Sequence, residues 1–283
     1  MKLIIGTVQF GEPYGIDKSL LYKNKSEIKK IFDLCKEYKI CYFDTAENYK
    51  GVHQILGNYS NKSFKVISKI LTSSLNEIVS KVENYLEIID VDNLEGLLIH
   101  DAKNFNLKNY PLLSQSIEYL KKNNLIKNFG VSIYDPSELN NFRHFDHIDI
   151  IQAPYNILDR RIENSKFIEK LKINGTQIHA RSVFLQGLLL RSYKNIPDYF
   201  NNYDNFKPFN KYHEFLKSND LKQLDFCLSF VKNNKFIDKF IVGINSYAHL
   251  EEIIINLMEN NFHSFPDIST SNLNIIDPSL WKI

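Results

Sequence analysis

Four short pieces of this 283-residue chain end in side chains that can act together on a carbonyl group. They are Phe43-Asp44-Thr45-Ala46-Glu47-Asn48-Tyr49, Val66-Ile67-Ser68-Lys69, Leu97-Leu98-Ile99-His100-Asp101 and Gly130-Val131-Ser132. In each, an apolar or β-branched run stops abruptly at a polar residue, as happens where a buried parallel strand reaches the rim of a barrel. Asp44, Tyr49, Lys69 and His100 bring together an acid, a phenol, an amine and an imidazole. Such a set can protonate a carbonyl oxygen while a hydride arrives at its carbon. An ordinary tyrosine, with a pKa of about 10, is a poor donor near neutral pH, and a neighbouring ammonium would lower that value. Lys69 is expected to supply the charge, Asp44 to hold Lys69 and keep it protonated, and His100 to orient the carbonyl. Each side chain alone also has an ordinary use. Asp44 before Thr45 can cap the next turn. Tyr49 is one of 16 tyrosines. Lys69 can be a solvated strand end and His100 a satisfied rim histidine.

Such side chains converge only on a scaffold that lines up strand ends. Strand-like and helix-like patterns alternate along the whole chain. Strands are expected at Leu3–Gly6, Ile40–Asp44, Phe64–Lys69, Leu94–His100, Lys127–Ser132, Asp149–Ala153, Gln177–Arg181 and Phe240–Ile244. Helices are expected at Ser26–Tyr38, Val52–Leu56, Leu75–Ile89, Leu112–Asn123, Pro136–Phe142, Ser165–Ile173, Leu221–Asn233 and Tyr247–Met258. Eight strand–helix pairs, roughly one per 30–35 residues, predict a single (β/α)8 TIM barrel over residues 1–283, with its site at the C-terminal face of the strands. An open doubly wound sheet needs fewer strands and usually a Gly-rich first turn. The first turn here, Gly6-Thr7-Val8-Gln9-Phe10-Gly11, contains no GxGxxG. One connection breaks the rhythm. From Leu190 to Asp220 the chain carries Tyr193, Pro197, Tyr199, Phe200, Tyr203, Phe206, Pro208, Phe209, Tyr212 and Phe215. A long aromatic-rich loop at about 190–220 is expected there, either a lid or packing over the barrel rim.

Composition narrows the classes. Apolar residues make up 43 %, the formal net charge is +2, and Lys and Glu are interleaved, so nothing argues for nucleic acid as a partner. No run of about 18 apolar residues marks a membrane span. Met1–Gly6 is too short an apolar run for a signal peptide, so a cytoplasmic location is expected. Cys35, Cys41 and Cys227 are odd in number and widely spaced, which fits buried thiols better than disulfides or a metal site. A monomer or small homo-oligomer acting on a small carbonyl compound is expected.

The sequence resembles the aldo-keto reductases from Gly6 to about Ile253. The resemblance rests on Gly6-Thr7, Asp44-Thr45-Ala46 with Tyr49, Lys69, His100, Gly130-Val131-Ser132, Gln152-Ala153-Pro154-Tyr155-Asn156, Gly187-Leu188-Leu189, and Val242-Gly243 with His249-Leu250-Glu251-Glu252. It implies a catalytic tetrad of Asp44, Tyr49, Lys69 and His100, and a nicotinamide dinucleotide, NAD or NADP, extended across the barrel mouth. Ser132 and Gln152 would hold the carboxamide. Arg181 stands where an aromatic side chain often stacks on the nicotinamide. Ser182 through Gly187, Leu185 among them, would wrap the pyrophosphate. Gly243, Asn245, His249 and Glu252 would border the adenosine end, with Gly6, Thr7 and Asp44 beneath. Gly243–Glu252 holds no Arg or Lys, so neither NAD nor NADP is singled out. Where the family usually continues Gly-x-Ser-Glu, this chain has Lys50-Gly51-Val52-His53. Lys50 and Arg181 are candidate contacts for an acidic substrate group. The stretch Ile178–Leu190 is similar to a bacterial branch linked to nucleotide-sugar and surface-polysaccharide pathways, which implies a sugar-like carbonyl substrate. A redox-sensing barrel acting on a protein partner and a non-redox sugar isomerase or epimerase are the alternative activities. Trp281 is expected either to border the substrate pocket or to anchor the tail.

Overall fold

Eight short parallel strands close on one another. They are β1 (Leu3–Gly6), β2 (Tyr42–Asp44), β3 (Lys65–Ile70), β4 (Gly96–Ile99), β5 (Phe129–Ser132), β6 (Ile150–Pro154), β7 (Gln177–Arg181) and β8 (Lys239–Gly243). Each pairs with the next, and β8 pairs back onto β1, with Leu3 opposite Phe240 and Gly6 opposite Gly243. The chain is a (β/α)8 barrel. The computed structural model describes residues 1–18, 24–60, 62–145, 148–201, 203–259 and 264–282; the side chains of residues 201 and 203–206 lie outside that description.

The helices are α1 (Val8–Gly11), α2 (Lys25–Glu37), α3 (Val52–Tyr59), α4 (Ile78–Ile89), α5 (Tyr110–Lys122), α6 (Lys166–Ile173), α7 (Tyr203–Ser218), α8 (Gln223–Asn233), α9 (Tyr247–Met258) and α10 (Leu273–Ile276). Their apolar stripes face the strands. In α2, Ile28, Ile31, Phe32 and Cys35 are buried, and Asn24 caps the start by accepting from Glu27 N. Among the described residues no helix is long and apolar enough to cross a membrane.

The barrel interior explains how the site is delivered. Ile4, Ile67, Leu98, Ile150 and Ile241 form a buried cluster of their own, with Tyr42 packed against it. Side chains alternate along a strand, so the residue two places on points inward again, one layer up. That step leads from Tyr42 to Asp44, from Ile67 to Lys69, from Leu98 to His100 and from Ile150 to Gln152. From Ile4 and Ile241 it leads to Gly6 and Gly243. The apolar layer is therefore roofed by a layer of polar side chains and two glycines, at the C-terminal mouth.

Several expected boundaries shift. β4 and β5 begin two residues late, because Leu94 and Ile126 meet only as an isolated bridge. Pro136–Phe142 is a 3₁₀ helix rather than an α-helix, started by a reciprocal capping box between Asp135 and Glu138. The expected loop at about 190–220 instead contains α7. Phe209, Tyr212 and Leu216 are all buried at helical spacing, a stripe concealed in sequence by the surrounding aromatics and Pro208. Tyr212 Oη donates to Leu189 O at 2.8 Å, and Phe215 and Phe226 lie 5.6 Å apart, so this segment packs between the β7 loop and α8. The side chains of Tyr203 and Phe206 lie outside the described residues. Trp281 meets Phe200 edge to face at 5.0 Å, anchoring the tail to the same segment.

Candidate active site

Lys69 is 2 % exposed, and a bare ammonium at that depth would be costly. Its Nζ donates to Asp44 Oδ1 at 2.5 Å and to Thr45 O at 3.0 Å. Gln152 Nε2 donates to the other carboxylate oxygen of Asp44 at 2.7 Å. Asp44 is thus held by charge on one side and by an amide on the other. Burial pulls the Lys69 pKa below the ordinary lysine range, and the Asp44 carboxylate opposes that pull.

Tyr49 lies above this pair, its ring centroid 5.3 Å from Lys69 Nζ. His100 meets it edge to face at 6.1 Å. The expected lowering of the Tyr49 pKa is reversed. Burial raises it, the Asp44 carboxylate raises it further, and Arg181 only partly opposes them. Tyr49 is therefore a neutral phenol that keeps its proton. His100 is neutral too: burial, then Lys69 and Arg181, take its pKa down to about 3, and its Nδ1 is buried without a partner among the described residues.

A cleft open to solvent lies over this layer. It is lined by Gln152 of β6, by Arg181, Ser182 and Gly187 of β7 and its loop, and by Gly243, Asn245 and His249 of β8 and the start of α9. Gly6 and Thr7 after β1, and Asp44 and Tyr49 after β2, complete it. The lining follows the strand order β6-β7-β8-β1-β2, so the cleft crosses the barrel mouth. Along one edge Ser182, Leu185, Gln186 and Gly187 adopt left-handed φ of 57°, 47°, 54° and 91°. Turns of this kind make concavities of backbone N–H groups that accept anions, and three non-glycine residues there mark a conformation imposed by its surroundings. Asn156 Nδ2 donates to Ser182 O at 3.0 Å, and Ile16 N donates to Gln186 O at 3.1 Å. Arg191 pairs with Asp17, tying the same loop to the segment after β1. At the β8 end a Cβ on Gly243 would stand 2.5 Å from Gln9 Nε2 and would push that amide aside. Gln9 Oε1 and His249 Nε2 are buried there without partners among the described residues.

Residues 2–265 match the aldo/keto reductase family. The chain belongs to that family. Solved aldo-keto reductases share the fold. The holo form of AKR11C1 from Bacillus halodurans is 18 % identical with a TM-score of 0.75, covering 93 % of this chain and 88 % of that one. An enzyme from Klebsiella pneumoniae, solved with NADP and acetate, is 18 % identical with a TM-score of 0.68, covering 93 % and 87 %. The thermostable Tm1743, solved with epalrestat, is 20 % identical with a TM-score of 0.69, covering 93 % and 92 %. At these identities the likeness is one of fold. No curated protein matches the chain.

In this aldo/keto reductase most of the residues singled out in sequence share one cleft. Lys69, Ser132 and Leu185 are buried below or behind the lining, and the partly buried His100 meets Tyr49 without itself lining the cleft. Lys50 is exposed in the loop after Tyr49, and Glu252 is exposed on α9; neither lines the cleft. The sequence reading missed Gln9 and Tyr14, which do line it. It also missed Glu47. That carboxylate accepts from Leu71 N at 2.6 Å, Lys81 Nζ at 2.9 Å and Tyr85 Oη at 3.0 Å, fixing the loop that carries Tyr49. His53 packs on Tyr85 at 4.5 Å and meets Ser68 Oγ at 3.3 Å.

Burial also sets how the reductase responds to acid. It lowers the pKa of His53 to about 4 and those of His100 and His179 to about 3. In the unfolded chain these groups return to about 6.5. Between the two limits the unfolded state binds more protons, so stability rises with pH and is lost as pH falls. The melting temperature is expected to be flat above about pH 7 and to fall steadily from about pH 6.5 towards 4. Melting curves that do not move between pH 7 and 5 would contradict the neutral, buried state of these rings.

Proposed function

We propose that the protein reduces an aldehyde or ketone to an alcohol with NADH or NADPH, and that the substrate is a sugar or sugar-nucleotide carbonyl. The observation that carries the reading is the convergence of the Asp44–Lys69 pair, Tyr49 and His100 beneath one end of a cleft that crosses the barrel mouth. The cleft suits a dinucleotide. Its left-handed Ser182–Gly187 edge fits a pyrophosphate, and the unmet Gln9 Oε1 and His249 Nε2 fit a polar adenosine. Gly6, Thr7, Gly243 and Asn245 would lie along the same group, with Ser132 and Gln152 at the carboxamide. When bound, the nicotinamide supplies a hydride to the carbonyl carbon.

The remaining work falls to the chain. Tyr49 Oη holds its proton until the carbonyl oxygen gains negative charge and then delivers it. The raised pKa keeps the proton on Tyr49 Oη until hydride addition makes the carbonyl oxygen the stronger base. Lys69 keeps a positive charge against the Tyr49 ring, and Asp44 keeps Lys69 in place. His100, neutral, offers a hydrogen bond that orients the carbonyl. Titration with NADH and NADPH, followed by keto-sugars and aldehydes monitored by loss of nicotinamide absorbance, tests the reading. A protein that binds dinucleotide but never oxidises it would instead be a sensor.

Cofactor choice carries its own expectation. Discrimination for the 2′-phosphate of NADP needs well-placed cations. Among the described residues Arg181 is the one Lys or Arg lining the cleft, and burial lowers the His249 pKa below the ordinary range. The two dinucleotides are expected to bind within roughly 30-fold of each other, about 2 kcal/mol. A thousandfold preference for NADPH, read by fluorescence titration, would mean that the phosphate finds a cation elsewhere.

A further inference from the structure

Arg181 differs from the other arginines around the barrel mouth. Arg160 pairs with Glu163, Arg161 with Asp159 and Asp135, and Arg191 with Asp17. Among the described residues no carboxylate pairs with Arg181, although it lines the same cleft as Asp44, Tyr49 and Gln152. The side chain is nonetheless held firmly. Its Nη2 donates to Ile133 O at 3.0 Å and its Nη1 to Ser182 Oγ at 3.4 Å. The Tyr134 ring lies 4.1 Å from the guanidinium carbon, which fixes the plane of the fork. Two of its five N–H groups are thereby used.

Three nearby acids are engaged elsewhere. Asp44 is neutralised by Lys69. Asp17 is paired with Arg191. Glu138 turns its carboxylate to Tyr134 N and Asp135 N, both at 3.2 Å. Among the described residues, then, the Arg181 charge beside the proposed proton donor has no carboxylate paired with it. A partly buried cation in that state is costly unless a ligand completes it.

We propose that Arg181 is the receptor for an anionic group on the substrate, so that the favoured carbonyl compound carries a carboxylate or a phosphate within reach of its reacting carbon. The proposal rests on reading the cleft as a carbonyl-reducing site, and it narrows the substrate from sugar-like carbonyls to acidic ones. A planar fork already braced on one side is suited to accept two oxygens of such a group side by side. Tyr14, 40 % exposed, lines the same cleft and offers an aromatic face to the carbon frame between anion and carbonyl.

The test compares matched pairs: 4-carboxybenzaldehyde against methyl 4-formylbenzoate, and glyceraldehyde 3-phosphate against glyceraldehyde. The wild-type protein is expected to favour the anionic member of at least one pair by tenfold or more in kcat/KM; the first pair reports carboxylate, the second phosphate. Arg181→Met is expected to collapse that preference roughly 10–100-fold, chiefly through KM, and Arg181→Lys to restore part of it. Fluorescence titration with NADH is run on each variant. Equal losses on both members, together with weaker NADH binding, would place Arg181 in cofactor binding and overturn the proposal. So would a wild-type protein that favours the neutral member of both pairs, a result that needs no variant to fold. A wild-type protein that binds neither dinucleotide nor turns over any of the four compounds would overturn the reading of the cleft itself, and this proposal with it.

Discussion

Tyr49→Phe is expected to lower the rate of carbonyl reduction roughly 10²–10⁴-fold, the usual scale for losing a general acid. The substitution removes one oxygen and keeps the ring. The ring is what faces Lys69 Nζ at 5.3 Å and the His100 edge at 6.1 Å, so both contacts survive. The Asp44–Lys69–Gln152 cluster beneath does not use the phenol oxygen. Dinucleotide affinity and melting temperature should therefore change little, and the loss should lie in the chemical step. Single-turnover hydride transfer separates the possibilities. A variant that reacts at close to the wild-type rate would remove Tyr49 as the acid and direct attention to His100 or a bound water.

Of the four strand ends read in sequence, those at Asp44, Lys69 and His100 obey the barrel's period of two, as does Gln152, whereas Ser132 follows Gly130 and lies buried behind the cleft lining. An apolar inward residue two places before each of Lys69, His100 and Gln152 marks those positions as inward too. Tyr42 does the same for Asp44. What the pattern did not carry was the depth of burial. Tyr49 was expected to be acidified by Lys69, yet desolvation and the Asp44 carboxylate push the other way, because Lys69 spends itself on Asp44 and Thr45. Gln152, which the resemblance puts at the carboxamide, also braces Asp44 through its amide N–H, a contact that no local pattern shows.

Gln9 and Tyr14 escaped for a different reason. They sit in a four-residue helix and the turn after it, too short to show any period. Gln9 acquires its place only by meeting Gly243 and Asn245, over 230 residues away in sequence and adjacent only because β1 and β8 close the barrel. Glu47 lies between two residues that were singled out, and its partners Leu71, Lys81 and Tyr85 come from later elements that no local pattern links to it.

Lys69→Met is expected to be the most damaging single change to stability. It removes the ammonium 2.5 Å from Asp44 Oδ1 and leaves a carboxylate that is 6 % exposed with Gln152 Nε2 as its remaining side-chain donor. Breaking a buried pair from one side typically costs about 3–5 kcal/mol, most of it the penalty on the stranded charge. The methionine stem fills much of the lysine's volume, so packing loss contributes little. If the penalty is electrostatic, neutralising the partner should relieve it. The double variant Lys69→Met, Asp44→Asn is expected to melt well above Lys69→Met alone, although it removes one more native group. Both variants should be poor catalysts, since Tyr49 then lacks the charge held against its ring. Thermal melts at fixed pH decide the matter. A double variant that melts as low as the single one would show that the cost lies in lost packing rather than in an uncompensated carboxylate, and the buried ion pair would no longer account for why a lysine stands at the heart of this barrel.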